Sequence, residues 1–130
     1  MVKYDDIYKE YSGVIELKYK DFKIINKKIY ITNKNFIEKN KGLIVFYAPW
    51  CKHCNIMGDD YSELAIVYKN IFPLGAVNIE DINNNNDLLS SAAKIKTYPT
   101  IKKIGKNGLL QNYDTKFNKD NIVYYISILS

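Results

Sequence analysis

The 130-residue sequence predicts one α/β domain with a mixed central sheet flanked by helices. The run LIVFYA at 43–48 is continuously apolar, which is typical of a strand buried on both faces. After Cys51, apolar residues recur at helical spacing. Near the end of the chain, the turn signal GKNG at 105–108 separates two strand candidates. Strands that alternate with helices place helices on both faces of the sheet, and the final hairpin makes it mixed.

Local patterns in the first third of the chain predict shorter elements. A short helix is predicted at 4–11, and the alternation in VIELKYKDFKI predicts one or two strands, followed by a strand at KKIYIT. NKNFIEKN predicts a short helix with Thr32 or Asn33 as its N-cap and Gly42 just past its end.

The second half of the chain continues the alternation. The helix that opens at Cys51 closes near Pro73, and LGAVNIE predicts the next strand. The tract NNNN at 83–86 predicts a solvated loop before the helix DLLSSAAKI. The final hairpin is predicted from TIKKIG and LLQNYD. A closing helix with Asn118 as its N-cap is predicted from NKDNIVYYISIL.

Composition and charge narrow the function classes. The net charge is +5, but the 19 basic residues are all lysine and are spread along the chain, so we expect no nucleic-acid binding. The N-terminus has no apolar h-region and the apolar runs are too short to span a bilayer. We therefore expect a soluble monomer without a signal peptide, in the cytoplasm or, for a viral chain, in the host cytoplasm or virion.

Both cysteines of the chain, Cys51 and Cys54, lie in FYAPWCKHCNIMG with His53 between them. A structural zinc site needs four ligands, and the chain has no further Cys or His. A c-type haem motif needs His directly after the second cysteine, where this chain has Asn55. Two alternatives stay open: a [2Fe–2S] cluster shared across a dimer, and an inert buried pair of cysteines.

A redox pair is the strongest interpretation because it follows a buried strand and opens a helix, where α/β proteins place their sites. Unpaired N–H groups and the positive helix dipole favour the reactive thiolate form of Cys51. Lys52 adds positive charge, and His53 can donate a hydrogen bond or a charge. A stabilised thiolate makes the disulfide a better oxidant, so we expect a potential less negative than the roughly −270 mV of a dedicated reductant.

The segments VFYAPWCKHC at 45–54 and TYPTIKKIGKNG at 97–108 resemble the thioredoxin superfamily, and more closely the catalytic domains of protein disulfide isomerases. The match covers about 27–129, which leaves 1–26 as an N-terminal extension packed on a thioredoxin-like domain at 27–130. The resemblance implies the thioredoxin fold and thiol–disulfide exchange with cysteine-containing protein substrates. The Cys51–Cys54 disulfide would be the redox group, so no bound cofactor is required.

The resemblance also implies roles for individual residues. Cys51 would be the attacking thiol and Cys54 the resolving thiol. Pro99 matches a cis-proline that faces the two sulfurs and turns the backbone of Tyr98 toward a substrate peptide. Trp50 would provide a flat apolar contact surface beside the disulfide. The alternatives are an ordinary trans proline at Pro99 and plain core packing for Trp50.

Two departures from the family bear on turnover. Family members usually carry a buried acid six residues before the first cysteine, where this chain has Val45, and often a lysine where it has Ala76. The proline that bends the family's helix is Asp59 here, and Gly58 is expected to supply the bend. Without a proton acceptor for Cys54, we expect slow release of the mixed disulfide.

Three hypotheses follow from these observations. The leading one is a disulfide isomerase-like or oxidase-like enzyme that is served by a sulfhydryl oxidase or a thiol reductant. The second is a thioredoxin-like reductase. The third is a slow-turnover binding or structural module that keeps the fold.

Overall fold

The computed structural model describes residues 7, 8 and 12–129. Within them the strands are β1 (Ile15–Leu17), β2 (Phe22–Ile25), β3 (Lys28–Ile31), β4 (Leu43–Tyr47), β5 (Leu74–Asn78), β6 (Thr100–Ile104) and β7 (Leu110–Asn112). The helices are α1 (Lys34–Lys39), α2 (Lys52–Val67), α3 (Asn86–Ala92) and α4 (Lys119–Leu129). The predicted order of elements is confirmed from β3 onward, whereas the helix predicted at 4–11 lies mostly outside the described residues.

The main sheet has five strands in the order β1-β5-β4-β6-β7. Strands β1, β5 and β4 are parallel, and β6 and β7 are antiparallel to their neighbours, so the prediction of a mixed sheet is confirmed. Strands β2 and β3 form a separate antiparallel hairpin. Its turn is made by Asn26 and Lys27, both with positive φ. The boundary predicted between the N-terminal extension (1–26) and the domain (27–130) lies between these two residues, and it stays a prediction.

Strand β4 lies at the centre and sends its side chains alternately to the two faces of the sheet. Leu43, Val45 and Tyr47 join the core with α2 and α4. Ile44 and Phe46 pack on the other face, in the core formed with α1, α3 and the β2–β3 hairpin. All five residues are fully buried, which explains why the strand reads as an uninterrupted apolar run.

Helix α1 begins as predicted but ends for a different reason. Asn33 is its N-cap and accepts a hydrogen bond from the Asn35 N–H. The helix ends at Lys39 because Asn40 adopts the left-handed conformation, with φ 54° and ψ 34°. Gly42 lies just past the helix end, as predicted, but the left-handed residue that ends the helix is Asn40.

The asparagine tract is also more structural than predicted. Its last residue, Asn86, begins α3 and is only 1% exposed. The Asn86 side chain donates to the Asn78 carbonyl at 3.0 Å and accepts from the Tyr19 N–H at 2.9 Å. The prediction of a solvated loop therefore holds only for 83–85, whose side chains are exposed.

Candidate active site

The site begins where the chain leaves β4 and turns into α2. Cys51 is the N-cap of α2, and its Sγ atom accepts a hydrogen bond from the Cys54 N–H at 3.2 Å. Asn55 holds this turn by donating to the carbonyls of Pro49 and Cys51, at 2.9 and 2.8 Å. The Cys51 sulfur therefore lies at the positive end of the helix dipole, where a negative charge is stabilised.

The two thiols differ in their surroundings. Both are free, and Cys51 is 6% exposed whereas Cys54 is 1% exposed. Burial, and after it the hydrogen bond to Cys51, raise the pKa of the Cys54 thiol to about 12. Cys51 is thus the more accessible sulfur, and Cys54 holds its proton tightly.

The raised Cys54 pKa predicts a pH dependence of stability. A thiol that titrates near 9.0 in the unfolded chain and near 12 in the folded one binds its proton more tightly when folded. The free energy of unfolding therefore falls as the pH rises from 9 to 12. The free energy of unfolding can be measured by denaturant titration of the reduced proteins at several pH values. Between pH 9 and 12 it should fall less steeply in Cys54→Ala than in the wild type, by up to about 1.4 kcal/mol per pH unit. The buried tyrosines affect the pH dependence of both proteins equally. Equal slopes of the unfolding free energy against pH would therefore contradict a raised pKa of Cys54.

The loop before β6 brings Tyr98 and Pro99 to the sulfurs. The Tyr98–Pro99 peptide bond is cis, as the resemblance implies. The Cys51 thiol donates to the Tyr98 carbonyl at 3.5 Å. The Tyr98 hydroxyl shares a hydrogen bond of 2.8 Å with the Ser90 side chain, which ties the loop to α3.

Trp50 stands beside the cysteines at the surface. It is 53% exposed, so its ring is not part of the core. Its Nε1–H donates to Glu80 Oε1 at 2.5 Å, and its ring contacts Tyr98 edge to face at 6.5 Å. Glu80 and Ser90 were not found from the sequence. Glu80 follows β5, whose carboxyl end shares an edge with that of β4, and this placement is the signal that points to it.

Lys52 and His53 are both exposed in the first turn of α2. His53 also lines a cleft of about 770 Å³ beside the cysteines, together with Met57, Tyr98, Pro99 and Phe117. Lys52 is not among the lining residues of this cleft. The structure therefore brings His53, Tyr98 and Pro99 together around one cleft, and Lys52 is exposed outside it.

Beneath Cys54 the sheet is apolar. Val45 and Ala76 are direct partners in the parallel pairing of β4 with β5, and both are fully buried. They belong to the same buried cluster as Cys54. The positions that correspond to the family's acid and lysine therefore do lie side by side, but neither side chain can accept or donate a proton.

In residues 7, 8 and 12–129, no three His, Cys, Asp or Glu side chains are grouped as ligands of a metal ion. None of the helices within the same residues has the length and apolar character needed to cross a bilayer.

The fold and the cysteine pair at the start of α2 define a class of protein. The thioredoxin family model matches residues 14–128. The chain therefore belongs to the thioredoxin family, and the closely spaced Cys51 and Cys54 are consistent with a CxxC-type redox pair.

Within this family, the chain is homologous to protein disulfide isomerases. It is 37% identical over 90 residues to protein disulfide-isomerase A4 of Mus musculus, covering 68% of this chain and 14% of the relative. It is 36% identical over 94 residues to protein disulfide isomerase-like 1-2 of Oryza sativa subsp. japonica, covering 69% of this chain and 18% of the relative. In both cases the chain corresponds to less than a fifth of the relative's length.

Solved structures agree on the fold. The solution structure of the first thioredoxin domain of mouse protein disulfide-isomerase A4 matches with a TM-score of 0.68 and 27% identity, over 96% of this chain and 81% of that one. The J-Trx1 fragment of ERdj5 matches with a TM-score of 0.70 and 18% identity, over 94% of this chain and 54% of that one. The predicted thioredoxin fold is thereby confirmed.

Proposed function

We propose that this protein is a thiol–disulfide oxidoreductase that exchanges its Cys51–Cys54 disulfide with cysteines of protein substrates, in the oxidising or isomerising direction. The observation that carries the proposal is the asymmetry of the cysteine pair. Cys51 caps α2 and is the more accessible sulfur, whereas Cys54 lies one turn deeper with a raised pKa. A more accessible thiol at a helix N-terminus beside a fully buried one is the arrangement that disulfide exchange requires.

The exchange proceeds in two displacements. A substrate thiolate attacks Cys51 Sγ of the disulfide, the Cys51–Cys54 bond breaks, and Cys54 leaves as a thiolate that takes up a proton. A second substrate thiolate then attacks the substrate sulfur of the mixed disulfide, and Cys51 leaves as a thiolate. Two electrons pass from the substrate thiols to the cysteine pair. The helix N-terminus stabilises the Cys51 thiolate as leaving group in the second displacement.

A polypeptide substrate suits the surface around Cys51. Tyr98 presents its carbonyl 3.5 Å from the Cys51 sulfur, so an extended peptide bound there can pair with the backbone next to the disulfide. Trp50 offers an exposed ring, and His53 and Pro99 line a cleft next to the cysteines. In this proposal Trp50, Tyr98 and Pro99 bind substrate, and Lys52 and His53 tune the charge near the sulfur.

The test is disulfide transfer to a reduced, unfolded protein. Oxidised protein is mixed with a reduced substrate rich in cysteines, and free thiols are counted over time. We expect one substrate disulfide to form for each protein disulfide consumed, and no transfer from Cys51→Ser. Failure of the wild type to transfer, or equal transfer by Cys51→Ser, would refute the proposal. A glutathione titration decides the direction, because a potential at or below about −270 mV would select thioredoxin-like reduction.

One observation favours a second candidate, a slow-turnover module that binds partners through the same fold. Val45 and Ala76 supply neither a carboxylate nor an amine beneath Cys54. Proton transfer to and from Cys54 then lacks a carboxylate. Exchange that is very slow, together with tight retention of a peptide, would select this candidate over the enzyme.

The proposal implies redox partners but no bound cofactor. In the oxidising direction, a sulfhydryl oxidase must re-form the Cys51–Cys54 disulfide. In the isomerising or reducing direction, a small thiol or a protein reductant must keep the pair reduced. The monomeric state and the cytoplasmic or virion location expected from the sequence stay predictions.

A further inference from the structure

A tyrosine from the start of the chain is buried in the same cluster as the resolving cysteine. Tyr8 is 3% exposed and belongs with Cys54, Val45 and Ala76 to the core on the α2 side of the sheet. Its ring packs edge to face against Tyr47, with 5.2 Å between the ring centroids. Tyr8 therefore brings a hydroxyl to a cluster in which Val45 and Ala76, the β4–β5 pair that shares it with Cys54, are apolar.

The Tyr8 hydroxyl has no hydrogen-bond partner among the described residues. The neighbouring Tyr61 differs in this respect, because its hydroxyl donates to the Gly75 carbonyl at 2.7 Å and also lies 3.3 Å from that of Leu43. A buried hydroxyl without a partner destabilises the fold. We therefore expect the Tyr8 hydroxyl to gain a hydrogen-bond partner in another state of the reaction.

Disulfide exchange creates such a state. The Cys54 sulfur is a thiolate when the disulfide opens, and it must become a thiolate again before it attacks Cys51. Burial raises the pKa of the Tyr8 hydroxyl well above its ordinary value, and the nearby charge of Cys54 raises it further. Tyr8 and Cys54 are members of the same buried cluster, so the two groups lie within electrostatic reach of each other. Because its pKa is raised, Tyr8 keeps its own proton and can act as a hydrogen-bond donor to an anion.

A glycine in α2 provides a separate observation on this segment. A Cβ atom at Gly58 would lie 2.8 Å from Ile7 Cγ2, so the absence of a side chain lets the segment at residues 7–8 pack closely on the helix. Gly58 lies one turn after Cys54. This packing fixes Ile7, and with it the neighbouring Tyr8, against the part of α2 that carries the resolving thiol.

We propose, on the basis of the function proposed above, that Tyr8 is a positioning residue for disulfide exchange: its hydroxyl donates a hydrogen bond to the Cys54 thiolate. The bond stabilises the anion that forms when Cys54 leaves the disulfide, or that attacks Cys51 when the disulfide closes. The proton that Cys54 gains or loses is exchanged with solvent, and Tyr8 remains protonated throughout. The extension therefore contributes to the chemistry of the site in addition to its packing.

The test separates the two cysteine steps with Ellman's reagent. Attack by Cys51 releases one thionitrobenzoate and forms the mixed disulfide. Attack by Cys54 on Cys51 Sγ then closes the protein disulfide and releases the second thionitrobenzoate. In Tyr8→Phe we expect the first phase to be unchanged and the second to be slower by about three- to tenfold at neutral pH. Without the hydrogen bond the pKa of Cys54 rises, and a rise of one unit lowers its thiolate fraction about tenfold. The more basic thiolate is also the better nucleophile, which offsets part of that loss.

The pH profile distinguishes a hydrogen bond from a packing effect. The second phase of Tyr8→Phe should reach the wild-type rate only at a pH higher by up to about one unit. Its stability should be at least that of the wild type, because the phenyl ring keeps its contacts and an unpartnered hydroxyl is removed. Tyr61→Phe is the matched control: it removes a buried hydroxyl from the same cluster and should leave the second phase unchanged.

Each remaining outcome is decisive. Equal second phases in wild type and Tyr8→Phe would overturn this inference and leave the proposed function intact. Equal slowing in Tyr8→Phe and Tyr61→Phe would overturn it as well, because packing would then be the cause. A wild-type protein that releases no second thionitrobenzoate would overturn the proposed function together with the inference.

Discussion

Cys54→Ser is expected to convert the protein into a trap for its substrates. Its remaining thiol, Cys51, attacks a substrate disulfide and forms a mixed disulfide, but no second thiol follows at the next helical turn. Intramolecular attack owes its speed to the fixed proximity of the two groups. The complex should therefore persist at least about a hundredfold longer than in the wild type. Non-reducing electrophoresis after an acid quench measures its lifetime.

Cys51→Ser provides the matched control for the trap. Its remaining thiol is Cys54, which is 1% exposed and has a raised pKa, so it should form almost no complex with the same substrate. Comparable complexes from both variants would show that the two thiols are equivalent and would contradict the assigned roles. A complex that forms with Cys51→Ser alone would reverse them.

Gly42→Ala is expected to have the largest effect on stability. Gly42 has a φ of +151°, and a Cβ atom there would lie 2.6 Å from Phe36 Cδ1 and 2.8 Å from the Pro73 carbonyl oxygen. Phe36 is fully buried and a backbone oxygen cannot yield, so strain and overpacking add. We expect a loss of about 3–5 kcal/mol. For a chain of this size, thermal unfolding should shift downward by roughly 12–20 °C.

Gly105→Ala is the control for this substitution. Gly105 has a φ of −102°, which an alanine adopts without strain, and a Cβ atom there would meet only the end of the Gln111 side chain. That side chain can move, so the change in stability should stay within about 1 kcal/mol. Similar losses at Gly42 and Gly105 would mean that the loss of glycine flexibility, and not the clash at Gly42, determines the effect.

The sequence predicted those parts of the fold that have a local pattern. Strand β4 was predicted because both of its faces are buried, which produces an unbroken apolar run. Helix α2 was predicted from helical spacing, and Asn118 was correctly predicted to cap α4, since it accepts from the Asn121 N–H. The pairing of β1 with β5 was not predicted, because a strand of three residues has too short a pattern to indicate its partner.

In the site, too, residues with a local sequence pattern were predicted, and residues placed by tertiary contacts were not. Cys51 and Cys54 are visible from their spacing, and Pro99 from the resemblance of its surroundings. Glu80 and Tyr8 were missed because their contacts are set by the tertiary fold: Glu80 is 30 residues from Trp50, and Tyr8 lies in a segment whose pattern indicated only a short helix and not its position beside Cys54. GKNG was predicted as a hairpin turn, and a 3₁₀ turn at Lys106–Gly108 with Asn107 in the left-handed region makes that connection.

The position of β1 has a consequence for solubility. Strand β5 is buried along its whole length, and β1 covers its outer side through the pairs Ile15–Gly75 and Leu17–Val77. A chain started at residue 27 would keep both cysteines but leave the backbone groups of an apolar strand open to pairing with other molecules. β1 itself is too short, and with Glu16 at its centre too polar, to act as a good template for such pairing. The first strand therefore protects the sheet against intermolecular strand addition and aggregation.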